Sequence, residues 1–420
     1  MMDEAGTGWR ERPQEIWIGV LGLGIALAPT HTKIAGAAWL LVCLAGLLLF
    51  FRKPAVQGDE RAPASKAWLI ACAVAAALAT ITSLIWPGGP DTLHAEFRLL
   101  LAAAATQQLV RHLPGAERWR ALTLPAVALA CGTALVAAVA TGDRMRLPSN
   151  PLPWSISVTF FVCLLLPVFF ENQGSPSIRR AYGLGLLAAL GAILMSQSRG
   201  AFVVVAWIAW LVFTKSRAAK PGLRFQNIVL GAAILATLLA STARLPSDPL
   251  RFREGARETL AALHDGNYNS SVGARVYSWS LGWESFMESP WIGIGGHERL
   301  RRIKAAGATL PLAQQGKRFD EVRRLGHVHN QYLHAAMDGG LIGLASTLAV
   351  LAGLGAAAWR LRRFDPVASR QMQGVLFMHA TAGLTNVNMA HNYYAIMLSL
   401  AVTLILVGAG RQSGDGAPSV

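Results

Sequence analysis

PWSISVTFFVCLLLPVFF, residues 153–170, runs for 18 residues without a charged side chain. A helix of about 20 apolar residues rises far enough to cross the roughly 30 Å hydrocarbon layer of a bilayer, so a run of this length reads as a membrane span. It has many counterparts. Apolar segments of similar length lie near 16–29, 34–51, 66–86, 92–110 and 120–140 before it. After it come 180–197, 199–214, 225–241, 338–358, 371–386 and 392–409, which makes about twelve transmembrane helices in all. The composition agrees. The 420 residues are 53% hydrophobic and 15% charged, with a mean hydropathy of +0.39, more apolar surface than a soluble core of this size can hide. The fold class expected is therefore all-α, a polytopic integral membrane protein.

The net charge of +15, from 38 Lys and Arg against 23 Asp and Glu, would point to nucleic acid in a soluble protein. Here the basic residues fall between spans, and nucleic acid is not expected as a partner. With the N-terminus inside, the inner connections carry twenty Lys and Arg, while the short outer ones carry Lys33, Arg144, Arg146 and Arg199. That asymmetry sets the orientation, with both termini cytoplasmic. Arg10 and Arg12 ahead of an apolar stretch ending in Ala28 resemble a signal peptide, but Pro29 at the junction disfavours cleavage and an uncleaved first span is expected. Cys43, Cys72, Cys131 and Cys163 all lie inside apolar runs with no CxxC spacing, so they read as small core residues.

The division expected is residues 1–240 as transmembrane helices one to nine, 241–330 as one large outer loop, 331–410 as helices ten to twelve, and 411–420 as a disordered tail. The loop is more than a linker. LRFREGARETLAAL and GARVYSWSLGWESFM have helical apolar spacing, and SPWIGIGG punctuates them, so two or three short helices on the membrane surface are expected. Trp279, Trp283, Phe286 and Trp291 fit an interfacial face, where ordinary anchoring is their simplest role.

Topology then brings distant residues to one water interface. His327, His329 and Asn330 end the loop at the start of span ten, and Arg199 closes the outer turn between spans seven and eight, where an arginine opposes insertion. Arg98 lies about two turns from the outer end of span four, with Glu96 as a local partner if it has no other task. Arg275 opens a loop helix that carries Trp279 and Trp283. Guanidinium forks suit phosphate oxygens and stay charged at any working pH, so Arg98, Arg199 and Arg275 are candidates for holding a diphosphate. An imidazole suits activation of a hydroxyl, which makes His329 the candidate catalytic group. His327, Asn330 and Asp338 are supporting candidates, Asn330 also as a helix cap. His-x-His with His334 and Asp338 nearby raises a metal site, but the two rings would point to different faces of a helix and no HExxH or DxD motif accompanies them. No metal and no cofactor are expected. His379, Asn386, Asn388, His391 and Asn392 cluster at the last outer turn, where helix–helix hydrogen bonding explains most of them. The run GHERLRRIK with Lys317 and Arg318 reads as a solvated face, or as contacts from Arg301, Arg302, Lys304, Lys317 and Arg318 to an anionic glycolipid acceptor.

SQSRG at 196–200, ESPWIGIG at 288–295 and HVHNQYLHAAMDGGLIG at 327–343 resemble the O-antigen ligase and polymerase superfamily. The resemblance runs from about Tyr182 to Ala358; the earlier spans match in hydropathy and number. It implies a metal-independent, inverting glycosyltransferase of the GT-C type in the bacterial inner membrane, with its active site facing the periplasm. It further implies a donor O-antigen glycan on undecaprenyl diphosphate and, for the ligases, an acceptor in the core oligosaccharide of lipid A. Residue by residue, His329 matches the essential histidine, Arg199 the arginine of the SR motif and Arg275 the loop arginine before the aromatic run, while Arg98 is matched by position. The rivals are an O-antigen polymerase, a protein O-oligosaccharyltransferase and, from another class, a transporter of lipid-linked sugars. A transporter would carry charges deeper in several spans, and no GxxxxGK[ST] loop is present.

Overall fold

Proline marks several helix starts. At Asn150-Pro151, Ser175-Pro176 and Asp365-Pro366 the first side chain accepts a backbone N–H from the opening turn, and the proline supplies a preset φ where no donor is needed. A computed structural model of the chain describes residues 8–53, 59–87, 94–113, 116–171, 175–218, 252–308 and 318–410. The span expected at 225–241, Lys317 and the tail 411–420 lie outside these residues.

Every regular element among the described residues is helical. The first eight helices are α1 Gly8–Leu27, α2 Thr32–Phe50, α3 Ala62–Ile85, α4 His94–His112, α5 Ala116–Thr141, α6 Pro151–Phe170, α7 Pro176–Ser196 and α8 Val204–Ala218. Four shorter helices follow, α9 Phe252–Asp265, α10 Ser271–Glu288, α11 Gly295–Lys304 and α12 Asp320–Arg324. The last three are α13 Gln331–Leu361, α14 Pro366–Gly383 and α15 Asn392–Gly408. Each of the eleven expected spans within the described residues overlaps a helix of this set. Six helices, α2, α3, α5, α6, α7 and α13, are long and apolar enough to cross a membrane, as expected of a polytopic membrane protein.

Helices α6 and α15 are buried along almost their whole length and form the centre of the bundle. Around them the chain packs closely at small residues. A methyl group at Gly46 would overlap Ala105, and one at Gly353 would overlap Ala71. Several polar groups inside are paired: Ser65 Oγ meets Gln107 Oε1 at 2.5 Å, Thr106 Oγ1 meets Thr403 Oγ1 at 2.8 Å, and Gln371 donates to Leu164 O at 2.6 Å. At one end of the bundle the helix C-termini are closed by guanidinium groups. Arg61, paired with Asp59, donates to Val407 O, Val110 O and Leu113 O, and Arg120, paired with Asp365, donates to Gly408 O.

At the opposite end α3, α5, α7 and α14 finish while α6, α13 and α15 begin. A methyl group at Gly200, just after α7, would meet Leu152 of α6 and Thr385 beyond α14. The shorter helices have cores of their own here. Ala274, Ala306, Phe319 and Val322 form one, framed by Tyr268 and Tyr277, and Ile294, Ile303, Val328 and Met337 form another that joins the segment to α13. The described residues of this segment are thus packed, in four helices where two or three were expected.

Candidate active site

Two glycine-rich motifs lock into each other beside the candidate residues. Helix α13 is interrupted at Gly340, whose φ of 59° and ψ of −146° are open to glycine and hardly to anything else. The backbone groups released there are taken up by the SPWIGIGG segment: Leu341 N–H donates to Pro290 O at 2.7 Å, and Ile294 N–H to Met337 O at 2.8 Å. Trp86 Nε1 clamps the segment from α3 through Ile292 O at 2.8 Å. Gly293 lies against the Asp338 carbonyl so closely that a side chain there would overlap it.

The same junction carries a buried ion pair. Arg299 of α11 is fully buried, donating to Asp338 Oδ1 at 2.8 Å and Oδ2 at 3.0 Å and also to Gly326 O. It therefore ties α13 to the residue that opens the histidine segment.

From Gly326 the chain crosses to α13 through His327, Val328 and His329. Val328 is buried in the apolar cluster with Met337, which leaves the two histidine rings together on the other side, their centroids 4.2 Å apart. The opposed rings expected of a helix are not observed, because the pair precedes the helix and does not lie on it. His329 has a φ of 52°, a left-handed conformation that costs a residue with a Cβ roughly 1–2 kcal/mol. The surroundings hold it there. Its N–H donates to His327 Nδ1 at 3.3 Å, and the next residue, Asn330, caps α13 by accepting from Tyr332 N and Leu333 N, both at 3.1 Å. Asn386 acts on the His329 side chain, favouring its charged form, and the His391 ring lies 6.4 Å from that of His327, so the last turn joins the site from above α15. Burial, then His327 and Arg275, push the His329 imidazole down to about 3; burial, then His391 and Arg299, push His327 to about 4. Both rings are neutral at pH 7.

The arginines approach from separate turns. Helix α7 ends at Gln197 in the left-handed conformation, and the reversed chain starts a short 3-10 turn at Arg199. The Arg199 guanidinium lies against Gly255 of α9, where a side chain would displace it. Glu258 of the same helix accepts Val272 N at 3.1 Å and so fixes the start of α10, which carries Arg275 one turn later. The Arg275 pKa is lowered by burial and then by Arg199, with Glu258 opposing and Arg144 adding to the effect. Positive charge therefore outweighs negative among the groups acting on Arg275, which favours an anion beside it.

Residues 184–348 match the family model for O-antigen ligase. The match extends from α7 into α13 and contains Arg199, Arg275, His327, His329 and Asp338. It supports assigning the chain to the O-antigen ligase family, with a ligase- or polymerase-type function and a glycosyltransferase-like chemistry on lipid-linked sugars. A comparison with curated proteins gives no match.

The remaining candidates sort by their contacts. Arg98 is half-buried on α4, two residues from Glu96. Glu96 lines a cavity of about 110 Å³ between α3, α4 and α13 that also takes in Gln331, His334, Asp338 and Thr82. Of the basic run, Arg301 and Arg302 both bind Glu298 at 2.6–2.8 Å, Arg302 also reaches Glu288 at 2.7 Å, and Lys304 donates to Arg323 O at 2.5 Å. Arg301, Lys304 and Arg318 keep exposed surface. The last outer turn divides: His379 Nδ1 bonds Tyr394 Oη at 2.8 Å inside the bundle, whereas Asn386 and His391 reach the site.

Sequence reasoning missed Arg144, Arg299 and Glu258. Arg299 was legible, since it stands four residues before the buried Ile303 on the apolar face of α11. The other two are visible only through tertiary contacts.

Proposed function

We propose that the chain is an O-antigen ligase, moving an O-antigen glycan from undecaprenyl diphosphate to the core oligosaccharide of lipid A by inverting, metal-independent transfer. One observation carries this reading: a neutral histidine in a strained, cap-stabilised conformation stands beside a group of arginines within the segment that matches the family. The reading includes a bacterial inner-membrane location, both termini cytoplasmic, and residues 241–330 as a periplasmic loop, which rests on the distribution of Lys and Arg in the sequence.

In this mechanism Arg199 and Arg275, with Arg144 adding positive charge, hold the donor diphosphate. The acceptor hydroxyl oxygen forms a bond to the anomeric carbon from the face opposite the diphosphate. The anomeric carbon–oxygen bond breaks, and its electron pair leaves on the diphosphate, whose charge the guanidiniums neutralise. His329 accepts the hydroxyl proton, and its imidazole stays basic enough in the complex because the arriving diphosphate offsets the neighbouring arginines. His327, Asn330 and Asn386 orient the ring, and Asp338 with Arg299 holds the segment that presents it. Arg301, Lys304 and Arg318 offer exposed positive charge to an anionic acceptor core.

The test is the lipopolysaccharide of a strain lacking this gene, complemented with wild type or His329→Ala. Core without O-antigen, long chains left on the lipid carrier and no rescue by the variant support a ligase. Core bearing a single repeat would make the protein a polymerase, and an unchanged ladder would remove both readings.

A further inference from the structure

His334 stands one turn into α13 and takes no part in the proposed mechanism. Its Nε2 lies 3.6 Å from Asp338 Oδ2, one turn further along the same helix. That carboxylate favours the ring hydrogen on Nε2, which leaves Nδ1 as the lone-pair nitrogen. Nδ1 is buried and has no hydrogen-bond partner among the described residues. The His327 ring has the same polarity. Its Nδ1 accepts the His329 N–H at 3.3 Å, so in the neutral ring the hydrogen sits on Nε2.

The three rings stand in file. Those of His329 and His327 have centroids 4.2 Å apart, and those of His327 and His334 lie 6.4 Å apart at 88°. Arg275 of α10, Arg299 of α11 and His391 of the last outer turn are the charged and titratable groups that act on the middle ring. Beyond His334 the file opens on the cavity between α3, α4 and α13, whose wall includes His334, Asp338, Glu96, Gln331 and Thr82. Its volume of about 110 Å³ is several times the roughly 10–15 Å³ that one water needs, and that wall offers the polar partners ordered water requires.

We propose that His327 and His334 relay the acceptor's proton from His329 into this cavity. The inference rests on the proposed function for the source of the proton. His329 takes the hydroxyl proton as the glycosidic bond forms, and passes a proton to Nδ1 of His327. His327 releases its Nε2 hydrogen through a bridging water to Nδ1 of His334, and His334 releases its own Nε2 hydrogen to water in the cavity beside Asp338 and Glu96. One proton enters the file and one leaves it. Each ring ends with its hydrogen on Nδ1 and turns back before the next transfer. Two features favour such a path. The glycans of donor and acceptor fill the outer face of the site during transfer, and the burial and neighbouring charges that keep His329 neutral oblige it to hand a proton on. Files of histidine and carboxylate side chains within membrane proteins commonly carry protons.

The experiment follows glycan transfer turnover by turnover in reconstituted wild type and in His334→Gln, whose amide keeps hydrogen bonding but passes no proton from one side to the other. The variant should complete a first turnover and then slow by about 100-fold, the low end of what positioned proton transfer contributes, with KM unchanged. Added imidazole should restore the later turnovers in proportion to its concentration. First and later turnovers slowed together without a response to imidazole would overturn the relay in favour of a packing role for His334, and wild-type turnover would overturn it outright. Nitrogen-15 NMR of the histidine-labelled wild type tests the path apart from the proposed function, with signals assigned by their loss in His327→Gln and His334→Gln. Hydrogens on Nε2 of both rings are expected. A hydrogen on Nδ1 of either resting ring would overturn the relay even in an active enzyme, whereas Nε2 hydrogens on both in a protein that transfers no glycan would leave the path standing and remove the proposed function.

Discussion

Replacing Gly340 by alanine should release the SPWIGIGG segment from α13. The native φ and ψ of 59° and −146° lie where only glycine is comfortable, so an alanine held there costs about 1–3 kcal/mol. Its methyl group would also overlap the Trp291 carbonyl and the Ile292 nitrogen, so the two backbones must part. Parting them sacrifices the Leu341-to-Pro290 and Ile294-to-Met337 hydrogen bonds, about 1 kcal/mol each. The sum, about 4 kcal/mol, corresponds to roughly a thousandfold rise in local opening. Hydrogen exchange measured by mass spectrometry on peptides covering residues 286–297 and 335–345 reads that opening directly. Gly355→Ala is the control, because its nearest contact is Leu376 Cδ2 at 3.8 Å and a mid-helix glycine-to-alanine change is neutral or stabilising by up to about 1 kcal/mol. Exchange at Ile294 and Leu341 as slow in Gly340→Ala as in wild type would refute the idea that the two motifs exist to hold each other.

The pH dependence follows from the buried imidazoles. Because burial holds His329 near 3 and His327 near 4, the acid limb of kcat/KM should fall below pH 5; a limb centred near 6.5 would mean an imidazole in contact with water. Their contribution to stability has the same sign: it is complete above 6.5, where the unfolded histidines are neutral, and declines as the pH falls through about 4 and 3. Arg199→Ala and Arg275→Ala should each lower kcat by about 100-fold or more, the usual cost of removing one donor to a developing oxyanion. An intact kcat with a raised KM would instead assign these arginines to ground-state binding alone. Asp338→Asn should destabilise the protein by about 3 kcal/mol, since it leaves the Arg299 guanidinium buried without its counter-charge; an unfolding midpoint in detergent equal to that of wild type would contradict this.

Much of this was written in the sequence because a membrane span must satisfy its backbone within itself and cover its length with apolar side chains. That rule makes α2, α3, α5, α6 and α7 legible to within a few residues. Its apolar run alone marks α13 only from 338, because Gln331, His334 and Asp338 give the first turns a polar side; the start at Gln331 is marked instead by the expected cap, Asn330. At 31 residues this helix is roughly 46 Å long, more than the apolar layer requires, and the excess carries the site. The convergence of His329, Arg199 and Arg275 on one end of the bundle could be anticipated from the alternation of spans alone. Arg98 satisfies the same argument, since alternation gives the level of a residue along the bundle and leaves its side open. The left-handed His329 was hidden because sequence patterns flag that conformation through glycine or asparagine. Arg299 sits in a basic run that otherwise faces solvent, and only its spacing from Ile303 marks it out.

The central claim is that this cluster transfers a glycan with a neutral histidine and arginines alone. It is tested most directly by purified protein in bilayer discs, supplied with a glycan on polyprenyl diphosphate and with lipid A bearing its core, in the presence of a strong chelator. Wild type should yield glycan-bearing lipid A and free polyprenyl diphosphate in equal amounts, and His329→Ala should yield neither while still binding the donor. Undiminished transfer by His329→Ala, or transfer by wild type that the chelator abolishes, would contradict the account.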